Sequence, residues 1–428
     1  MIAVGERYTV KIEDTNVFAK GICHIENMVV FVSGAITGEK CNVEITKVYP
    51  KYAYAKAIEL FEKSSHRIVP SCPCFQEWGG CSFSHISMEM ENEIKHNYVL
   101  SSFKKAHLDA EIAKTVCPVS LNYRNKIVLF YDRGSFGYMK EGTNKIVPHS
   151  SCVLNEDMFD QIAEYTKEAL KGTELRALYL RKSSHSVPEI LVCPIFYKKT
   201  NIISYATSIV NAFPNIRTVM CGTLGDKDFI LEKVKFSTVY GDGYINDTLC
   251  GLSFRISPES FYQINHAAAQ LLYEKAIELA DLDENTLCAD LFCGTGTIGI
   301  IAAHKTGATV YGVEIVEKAV KDAIYNAKTN NVKNAHFKAM DAGKFDKEVD
   351  VCIIDPPRKG CSPFMLDTLK RLKPRKIVYV SCNTDTMTRD LKSLAEEYKI
   401  SSPVSIFNLF PRTTHVESVV CLTRRLDN

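Results

Sequence analysis

Residues 290–299 have the sequence DLFCGTGTIG, a glycine-rich turn that follows a strand-like apolar run and precedes a helix-like run. The glycines permit a tight turn and let the backbone approach a ligand closely. From about residue 260 onward, apolar strands alternate with helices, which indicates a parallel sheet with helices on both faces. We therefore predict an α/β domain over residues 260–428. Its predicted helices span 265–281, 297–306, 316–330, 363–371 and 384–398.

Acidic residues stand at the ends of the strands that follow the glycine turn. Glu314, Asp341 and Asp355 end the next three strand-like runs. Open α/β sheets bind ligands at the carboxyl ends of their strands, and a carboxylate there can accept both hydroxyl groups of a ribose. These residues and the glycine turn predict one nucleotide-type ligand site at this edge.

The glycines alone leave two enzyme classes open. Gly294, Gly296 and Gly299 also satisfy the dinucleotide pattern G-x-G-x-x-G, so an NAD-dependent oxidoreductase is an alternative. The sequence DPPR at 355–358, however, places an acidic residue and two prolines after the fourth strand. This feature is typical of nucleobase methyltransferases, because the stiff backbone can hold a polar group against a base.

Two further strand ends carry reactive groups. Cys382 follows the strand-like run 376–380, and Glu417 opens the final strand. The segment 358–392 contains nine Lys/Arg and three Asp, so we expect electropositive surroundings that favour the thiolate of Cys382. Glu417 is a candidate general base if the sheet brings it to Cys382.

The upstream residues predict two more domains. Short strands rich in Val, Ile, Tyr and Phe over 1–60 predict a small β-barrel, and 61–259 predicts an α+β domain with a cysteine-rich loop. The segment 95–145 holds nine Lys/Arg against four Asp/Glu, which leaves an RNA contact and a solvated face equally open.

Composition limits the class of protein. The chain has 428 residues, 46% of them hydrophobic, and a net charge of +2, which is typical of a globular protein without a general attraction for polyanions. We expect neither a secretory signal nor a membrane-spanning segment, because we find no apolar run of the required kind. Sixteen cysteines without an export signal predict reduced thiols and a cytoplasmic location. We expect a monomer that binds no membrane.

The motifs DLFCGTGTIG, DPPRKG, SCN and HVE, in this order, resemble those of the RNA uridine-5-methyltransferase family, and SPESFYQIN at 257–265 resembles a further family block. The N-terminal barrel resembles the TRAM RNA-binding module. The resemblance spans nearly the whole chain. It implies a Rossmann-like domain that uses S-adenosylmethionine. The residues that it places around this methyl donor are Gln263, Phe292, Thr297, Glu314, Asp341 and Asp355.

The resemblance also implies the chemistry. Cys382 is then the nucleophile that adds to uracil C6, and Glu417 is the base that removes the C5 proton. Members with a TRAM module resemble the 23S rRNA enzymes, so we expect 23S rRNA as the partner, with a tRNA uridine-5-methyltransferase as the alternative. An adenine amino-methyltransferase would need no Cys382, and a non-catalytic RNA-binding factor would need neither Cys382 nor Glu417.

The cysteine-rich loop leaves three interpretations open. The resemblance implies a [4Fe-4S] cluster held by four thiolates, for which Cys72, Cys81 and the distant Cys152 are suitable. Trp78, the single tryptophan, stands at the second ligand position. Either Cys74 replaces the missing ligand, or the cluster is lost and Trp78 fills its space, or the thiols hold zinc.

Overall fold

The computed structural model describes residues 2–78, 80–140, 143, 145–149, 151–225 and 229–425. They form three sheet-based units and an additional two-stranded hairpin. No helix among the described residues has the length and apolar character needed to cross a bilayer. The fold class predicted from the sequence is confirmed: a β-rich N-terminal unit, an α+β central unit and a C-terminal α/β domain.

The N-terminal unit is one six-stranded sheet with the strand order β1-β5-β6-β4-β3-β2. In β5, buried and more exposed residues alternate, as expected when one face of a strand covers a core. Residues of β1 and β3, which are not neighbours in the sheet, share this core, so the sheet curls around it as in a barrel. The strands are β1 Arg7–Lys11, β2 Asp14–Thr15, β3 Lys20–Ile25, β4 Met28–Ser33, β5 Lys40–Val48 and β6 Tyr52–Glu62.

Helix α1 (Met88–Lys105) and strand β7 (Ile112–Val116) follow the cysteine-rich loop. Ser87 caps α1, because its side chain accepts a hydrogen bond from the backbone N–H of Met90. Both elements lie within residues 61–259, the bounds predicted for the central domain. Instead, β7 pairs with the edge of the C-terminal sheet, and α1 packs on the last helix of the C-terminal domain.

The central unit is a seven-stranded sheet with the order β10-β9-β8-β11-β12-β13-β14, covered by two helices. Between residues 120 and 260 the sequence predicts strands and one helix, near 155–170, which corresponds to α2; it does not predict α3. A hairpin, β15 and β16, follows. The elements are β8 Lys126–Asp132, β9 Ser135–Met139, β10 Ile146–Pro148, α2 Asp157–Ala169, β11 Leu175–Lys182, β12 Ile190–Phe196, α3 Ile203–Ala212, β13 Ile216–Thr223, β14 Lys235–Tyr240, β15 Ile245–Leu249 and β16 Leu252–Ile256.

The C-terminal sheet has the order β19-β18-β17-β20-β21-β24-β23-β7, and β22 also pairs with β24. Strands β17 to β21 are parallel, and β24 runs antiparallel to β21. The elements are α4 His266–Ala280, β17 Leu287–Leu291, α5 Thr297–Thr306, β18 Thr309–Glu314, α6 Glu317–Thr329, β19 Ala335–Ala339, β20 Val351–Ile354, α7 Pro363–Leu372, β21 Lys376–Ser381, α8 Thr384–Leu394, β22 Tyr398–Ile400, β23 Val404–Phe407 and β24 Glu417–Arg424.

Both faces of this sheet are covered, which explains its continuous apolar strands. In β17, Cys288 packs into one core, whereas its neighbours Ala289 and Leu291 pack into the core on the other face. Because strands β17 to β21 are parallel, their carboxyl ends all lie at one edge of the sheet. The helix predicted over 384–398 ends earlier, at Leu394, and the following residues form β22.

Candidate active site

The glycine turn connects β17 to α5 and exposes backbone at the carboxyl edge of the sheet. Phe292, Gly294 and Gly296 all have positive φ angles, of 70°, 52° and 76°. A Cβ atom on Gly296 would lie 2.8 Å from the Phe337 ring, and one on Gly299 would lie 2.7 Å from Asp290 Oδ2. Both glycines are therefore required by close packing, and Gly296 is also required by its backbone conformation.

Carboxylates surround this turn, as the strand ends predicted. Glu314 accepts hydrogen bonds from the backbone N–H of Gly294 at 3.3 Å and of Val316 at 3.0 Å. Asp341 accepts one from the N–H of Gly343 at 2.9 Å. The acids are therefore fixed by backbone donors, and they remain at the edge where a ligand would bind.

Asp290 is an additional acid of this site that we did not assign from the sequence. Its carboxylate accepts a hydrogen bond from the N–H of Gly299 at 2.8 Å. Burial, together with charge repulsion from Asp355 and Glu314, raises the pKa of Asp290 to about 7. Burial also raises the pKa of Asp355 to about 7. Such a crowded set of acids is suited to a ligand that carries positive charge.

Gln263 and Thr297 flank the same turn. Gln263 is 7% exposed, and its carbonyl accepts a hydrogen bond from Asn125 Nδ2 at 3.0 Å. Burial raises the pKa of Tyr273. Its hydroxyl interacts with Gln263 and Asp355, which were predicted to hold the cofactor, and with Glu417, the predicted base, so Tyr273 lies between these two groups of residues. No sequence pattern distinguished Tyr273, because it lies within the apolar face of α4.

Cys382 and Glu417 meet where β21 and β24 pair. The antiparallel register sets Ser381 opposite Ser418, so the next position brings Cys382 to Glu417. Cys382 is half-buried, and Glu417 is 4% exposed. Burial, followed by repulsion from Asp355, raises the pKa of Glu417 well above its usual range. The predicted nucleophile and base are therefore neighbours.

The expected electropositive surroundings of Cys382 are not found. Burial raises the pKa of its thiol to about 11, with further contributions from Glu417 and Asp355. Three of the basic residues counted in 358–392 pair with carboxylates other than Glu417 and Asp355: Arg389 with Asp390, Lys376 with Asp281, and Lys370 with Glu397.

Arg358 is the basic residue that does act on this pair. Its guanidinium lowers the pKa of both Cys382 and Glu417 and lies 3.0 Å from His415 Nε2. Its carbonyl accepts a hydrogen bond from Asn383 Nδ2 at 3.1 Å. Arg358 therefore connects the loop after β20 with the residues that flank Cys382 and Glu417. Its place in the DPPR motif was the signal that could have identified it.

The cysteine-rich loop does not form a metal site among the described residues. Gly79 is outside them, and within them no group of three or more His, Cys, Asp or Glu residues is arranged to hold a metal ion. Cys74 donates a hydrogen bond from Sγ to the carbonyl of Pro148 at 3.4 Å. Cys72, Cys81 and Cys152 are buried near one another, and burial is the main cause that raises the pKa of Cys81 to about 12.

Trp78 occupies the space between these thiols and the central sheet. Its ring stacks on Tyr138, with centroids 4.5 Å apart, and packs against the apolar cluster that contains Cys81 and Cys152. The four thiols therefore do not fit either the predicted cluster or zinc in this arrangement, and no catalytic step is assigned to a metal.

Comparison with known proteins is consistent with this site. Residues 3–58 match the family model of the TRAM domain, and residues 282–416 match that of a methyltransferase domain. An uncharacterised RNA methyltransferase of Listeria innocua is 31% identical, and the match covers 96% of this chain and 96% of the relative. One from Oceanobacillus iheyensis is 29% identical over 99% of this chain and 98% of its own.

A solved structure matches almost the whole chain. It is the tRNA (uracil-54, C5)-methyltransferase of Pyrococcus abyssi in complex with S-adenosyl-L-homocysteine. The two proteins are 25% identical, with a TM-score of 0.79 over 97% of this chain and 100% of the other.

Proposed function

Because this chain belongs to the family of RNA methyltransferases that carry a TRAM domain, we propose that it methylates C5 of a uridine in RNA through a covalent bond between Cys382 and uracil C6. The observation that carries the proposal is the position of Cys382 beside Glu417 at the carboxyl edge of the sheet, one residue beyond the pairing of Ser381 with Ser418. A nucleophile and a base are the two protein groups that this reaction requires.

The reaction follows from the weak nucleophilicity of uracil C5. Addition of the Cys382 thiolate to C6 places a pair of electrons on the ring, as an enolate with carbanion character at C5. C5 then forms a bond to the incoming methyl group as the bond from that methyl carbon to its positively charged sulfur breaks, and the sulfur keeps the electron pair and leaves as a neutral thioether. Glu417 removes the C5 proton, and the electrons of that C–H bond restore the C5–C6 double bond as the bond between Sγ and C6 breaks. Cys382 is thereby regenerated.

The charges around Cys382 control how easily the two reacting groups ionise. The thiol pKa of about 11 leaves Cys382 largely protonated near neutral pH in the free enzyme, and burial shifts the pKa of Glu417 in the same direction. Arg358 lowers both values, so it favours the thiolate for attack and the carboxylate for proton removal. We therefore assign Arg358 to the stabilisation of the two anionic forms.

S-adenosylmethionine, when bound, supplies a methyl group on a positively charged sulfur. The acids around the glycine turn are suited to that charge. We propose that the donor is held by Gln263, Phe292, Thr297, Glu314, Asp341 and Asp355. The carboxylate of Glu314, at the end of β18, is suited to the two ribose hydroxyls.

For the RNA, we propose 23S rRNA, acted on in the cytoplasm by a monomeric enzyme. A tRNA is the second candidate, because the Pyrococcus abyssi enzyme that resembles nearly the whole chain acts on a tRNA uracil. In either RNA the target must be unstacked before Cys382 can reach C6, so a loop or a flipped base is expected.

The test is to incubate the purified chain with S-adenosylmethionine and either unmodified 23S rRNA or an unmodified tRNA pool, and to analyse the nucleosides by mass spectrometry. The proposal predicts 5-methyluridine in the rRNA, dependent on Cys382. Formation in tRNA alone would support the second candidate. A methyl group on a purine, or on another uridine atom, would overturn the proposed reaction.

A further inference from the structure

Asp390 is a buried carboxylate on α8 to which the proposed reaction assigns no step. Its Oδ2 atom accepts one hydrogen bond from the backbone N–H of Cys361 and one from the hydroxyl of Tyr379, both at 2.7 Å. Its Oδ1 atom accepts two from the guanidinium of Arg389, at 2.9 and 2.7 Å. Removal of a charged group from water is costly even when it is paired, so this cluster calls for an explanation.

The same cluster holds the loop that follows β20. Arg389 Nη2 also donates hydrogen bonds to the carbonyls of Lys359 at 2.9 Å and Cys361 at 3.3 Å. Gly360 lies between them with a positive φ of 73°, and a Cβ atom there would lie 2.6 Å from both Arg389 Nη2 and Asp390 Oδ2. The loop backbone is therefore in direct contact with the two side chains from α8.

The start of α8 holds Arg358 by its backbone. The carbonyl of Arg358 accepts hydrogen bonds from Asn383 Nδ2 at 3.1 Å and from Thr386 Oγ1 at 3.3 Å. Arg358 is exposed, so its guanidinium is not fixed by burial in a core, and its position depends on the loop backbone. Cys382 directly precedes Asn383, the N-cap of this helix. Helix α8 therefore fixes the thiol and the loop that carries Arg358 relative to each other.

We infer that Asp390 is a positioning residue for Arg358: it fixes the loop 358–361 on α8 and so keeps the Arg358 guanidinium close to Cys382 and Glu417. Glu417 and Asp355 oppose ionisation of the Cys382 thiol, whereas Arg358 favours it. A small displacement of Arg358 would therefore leave the acids without their counter-charge. The inference rests on the role proposed for Arg358 and adds the group on which that role depends.

Asp390→Asn tests this role with little change of shape. Asparagine has one acceptor oxygen, and its NH₂ group would face either the guanidinium of Arg389 or the donors of Cys361 and Tyr379. In either orientation one side of the cluster loses its hydrogen bonds. We therefore expect the loop 358–361 to loosen and the Arg358 guanidinium to spend less time beside Cys382.

The charge beside Cys382 can be measured without RNA or methyl donor. The full-length protein is alkylated with iodoacetate, which is an anion, and in parallel with neutral iodoacetamide. Modification of Cys382 is followed by peptide mass spectrometry at low ionic strength. Both reagents are of similar size and react with the same thiolate, so the ratio of their rates cancels the thiolate fraction and depends on the local charge.

The ratio of the iodoacetate rate to the iodoacetamide rate should fall when Arg358 is lost or displaced. We expect a fall of about fivefold in Arg358→Gln, from the loss of one charge a few ångströms from the thiol. Asp390→Asn should lower the ratio about threefold, in the same direction. The double variant should match Arg358→Gln alone, because the same charge cannot be lost twice.

Two further variants complete the design. Asp367→Asn is the same substitution at an exposed position on α7, and as the matched control it should leave the ratio unchanged. Arg389→Lys keeps the charge of a side chain that is more than half exposed, but a single ammonium cannot replace the forked bonds to Asp390 and the loop carbonyls. It should lower the ratio about twofold, and it provides the test if Asp390→Asn does not fold, as judged by denaturant titration.

The inference is overturned if folded Asp390→Asn or, where that variant does not fold, Arg389→Lys retains the ratio of the unchanged protein. It is also overturned if the effects of Asp390→Asn and Arg358→Gln add, or if Arg358→Gln itself leaves the ratio unchanged. None of these measurements requires methyl transfer, so absence of 5-methyluridine would leave their result standing. Conversely, an unchanged ratio would leave the roles of Cys382 and Glu417 to be decided by the nucleoside analysis.

Discussion

Cys382 lies beside Glu417 because β21 and β24 pair in antiparallel register, with Ser381 opposite Ser418. Cys382 directly follows β21 and Glu417 opens β24, so two paired strands of a buried sheet position both side chains. Their proximity also makes the thiol harder to ionise, since Glu417 is the second cause, after burial, of the raised pKa of Cys382. The neighbouring acids therefore oppose formation of the Cys382 thiolate, and Arg358 reduces this effect.

Arg358 should therefore control the pH dependence of the reaction. In the free enzyme the thiol pKa of about 11 leaves little thiolate at neutral pH, so kcat/KM should rise as pH increases from 6.5 to 8.5. In Arg358→Gln the thiol pKa rises further, and we expect kcat/KM at pH 7.5 to fall by about tenfold or more, one pKa unit corresponding to tenfold.

Arg358→Lys is the matched control, because it keeps the positive charge. It should recover a large part of the lost activity, and its pH profile should lie between those of the other two proteins. A profile that falls with increasing pH, or one that is the same in all three proteins, would contradict this role.

Binding of the methyl donor should release protons. Asp290 and Asp355 have pKa values of about 7 in the free protein, so both are partly protonated at pH 7. A cation bound among them lowers those values, whereas S-adenosylhomocysteine lacks the sulfonium charge. Calorimetric titration in two buffers of different ionisation enthalpy should show greater proton release with S-adenosylmethionine. Equal release for the two ligands would show that these acids do not sense the sulfonium.

A buried ion pair should be needed to support the segment that precedes Glu417. Lys95 donates hydrogen bonds from Nζ to Glu91 at 2.9 Å and to Asn408 Oδ1 at 2.7 Å, and Glu91 accepts one from the N–H of Arg412 at 2.9 Å. Lys95→Met leaves Glu91 buried without its closest cation. We expect a loss of about 3 kcal/mol or more in the free energy of unfolding, measured by denaturant titration.

The exposed Lys105, on the same helix, provides the comparison. Lys105→Met should change the unfolding free energy by less than about 0.5 kcal/mol. Equal stability of the two variants would mean that the Lys95–Glu91 pair contributes no net support.

The cysteine-rich loop should contain no iron. Trp78 fills the space beside Cys81 and Cys152, and Cys74 is engaged with Pro148. Protein purified under anaerobic conditions should therefore lack stoichiometric iron and acid-labile sulfide, and Cys74→Ser should retain methyltransferase activity. Stoichiometric iron and sulfide that disappear in Cys74→Ser would show instead that Cys74 completes a cluster.

The C-terminal sheet could be predicted from the sequence because its signals are local. The glycine turn, the apolar strands that alternate with helices, and the acids at strand ends are each visible within short stretches of sequence. In the structure Glu314, Asp341 and Asp355 lie at or just beyond the carboxyl ends of β18, β19 and β20. The proximity of Cys382 and Glu417 could be predicted only in part. The sequence indicated that both residues lie at strand ends, but it did not indicate the antiparallel register of β24 that brings them together.

Features that depend on distant partners escaped prediction. Strand β7 joins the sheet beside β23, almost three hundred residues later in the chain, and no local pattern in 112–116 indicates that pairing. The prediction of electropositive surroundings for Cys382 was wrong for a related reason. Counting basic residues over 358–392 could not reveal that several of them pair with Asp281, Asp390 and Glu397. Helix α3 was missed because its residues 203–212 include several β-branched side chains, which have low helix propensity.

Covalent trapping tests the Cys382–Glu417 pair most directly. In RNA that carries 5-fluorouridine at the target, C5 has no proton to lose, so the chain and the RNA should remain joined after methyl transfer as an adduct stable in denaturing gels. Cys382→Ala should form no adduct. Glu417→Gln should form the adduct even with ordinary uridine, because the C5 proton is not removed. An adduct formed by Cys382→Ala, or normal turnover by Glu417→Gln, would contradict the assignment of nucleophile and base.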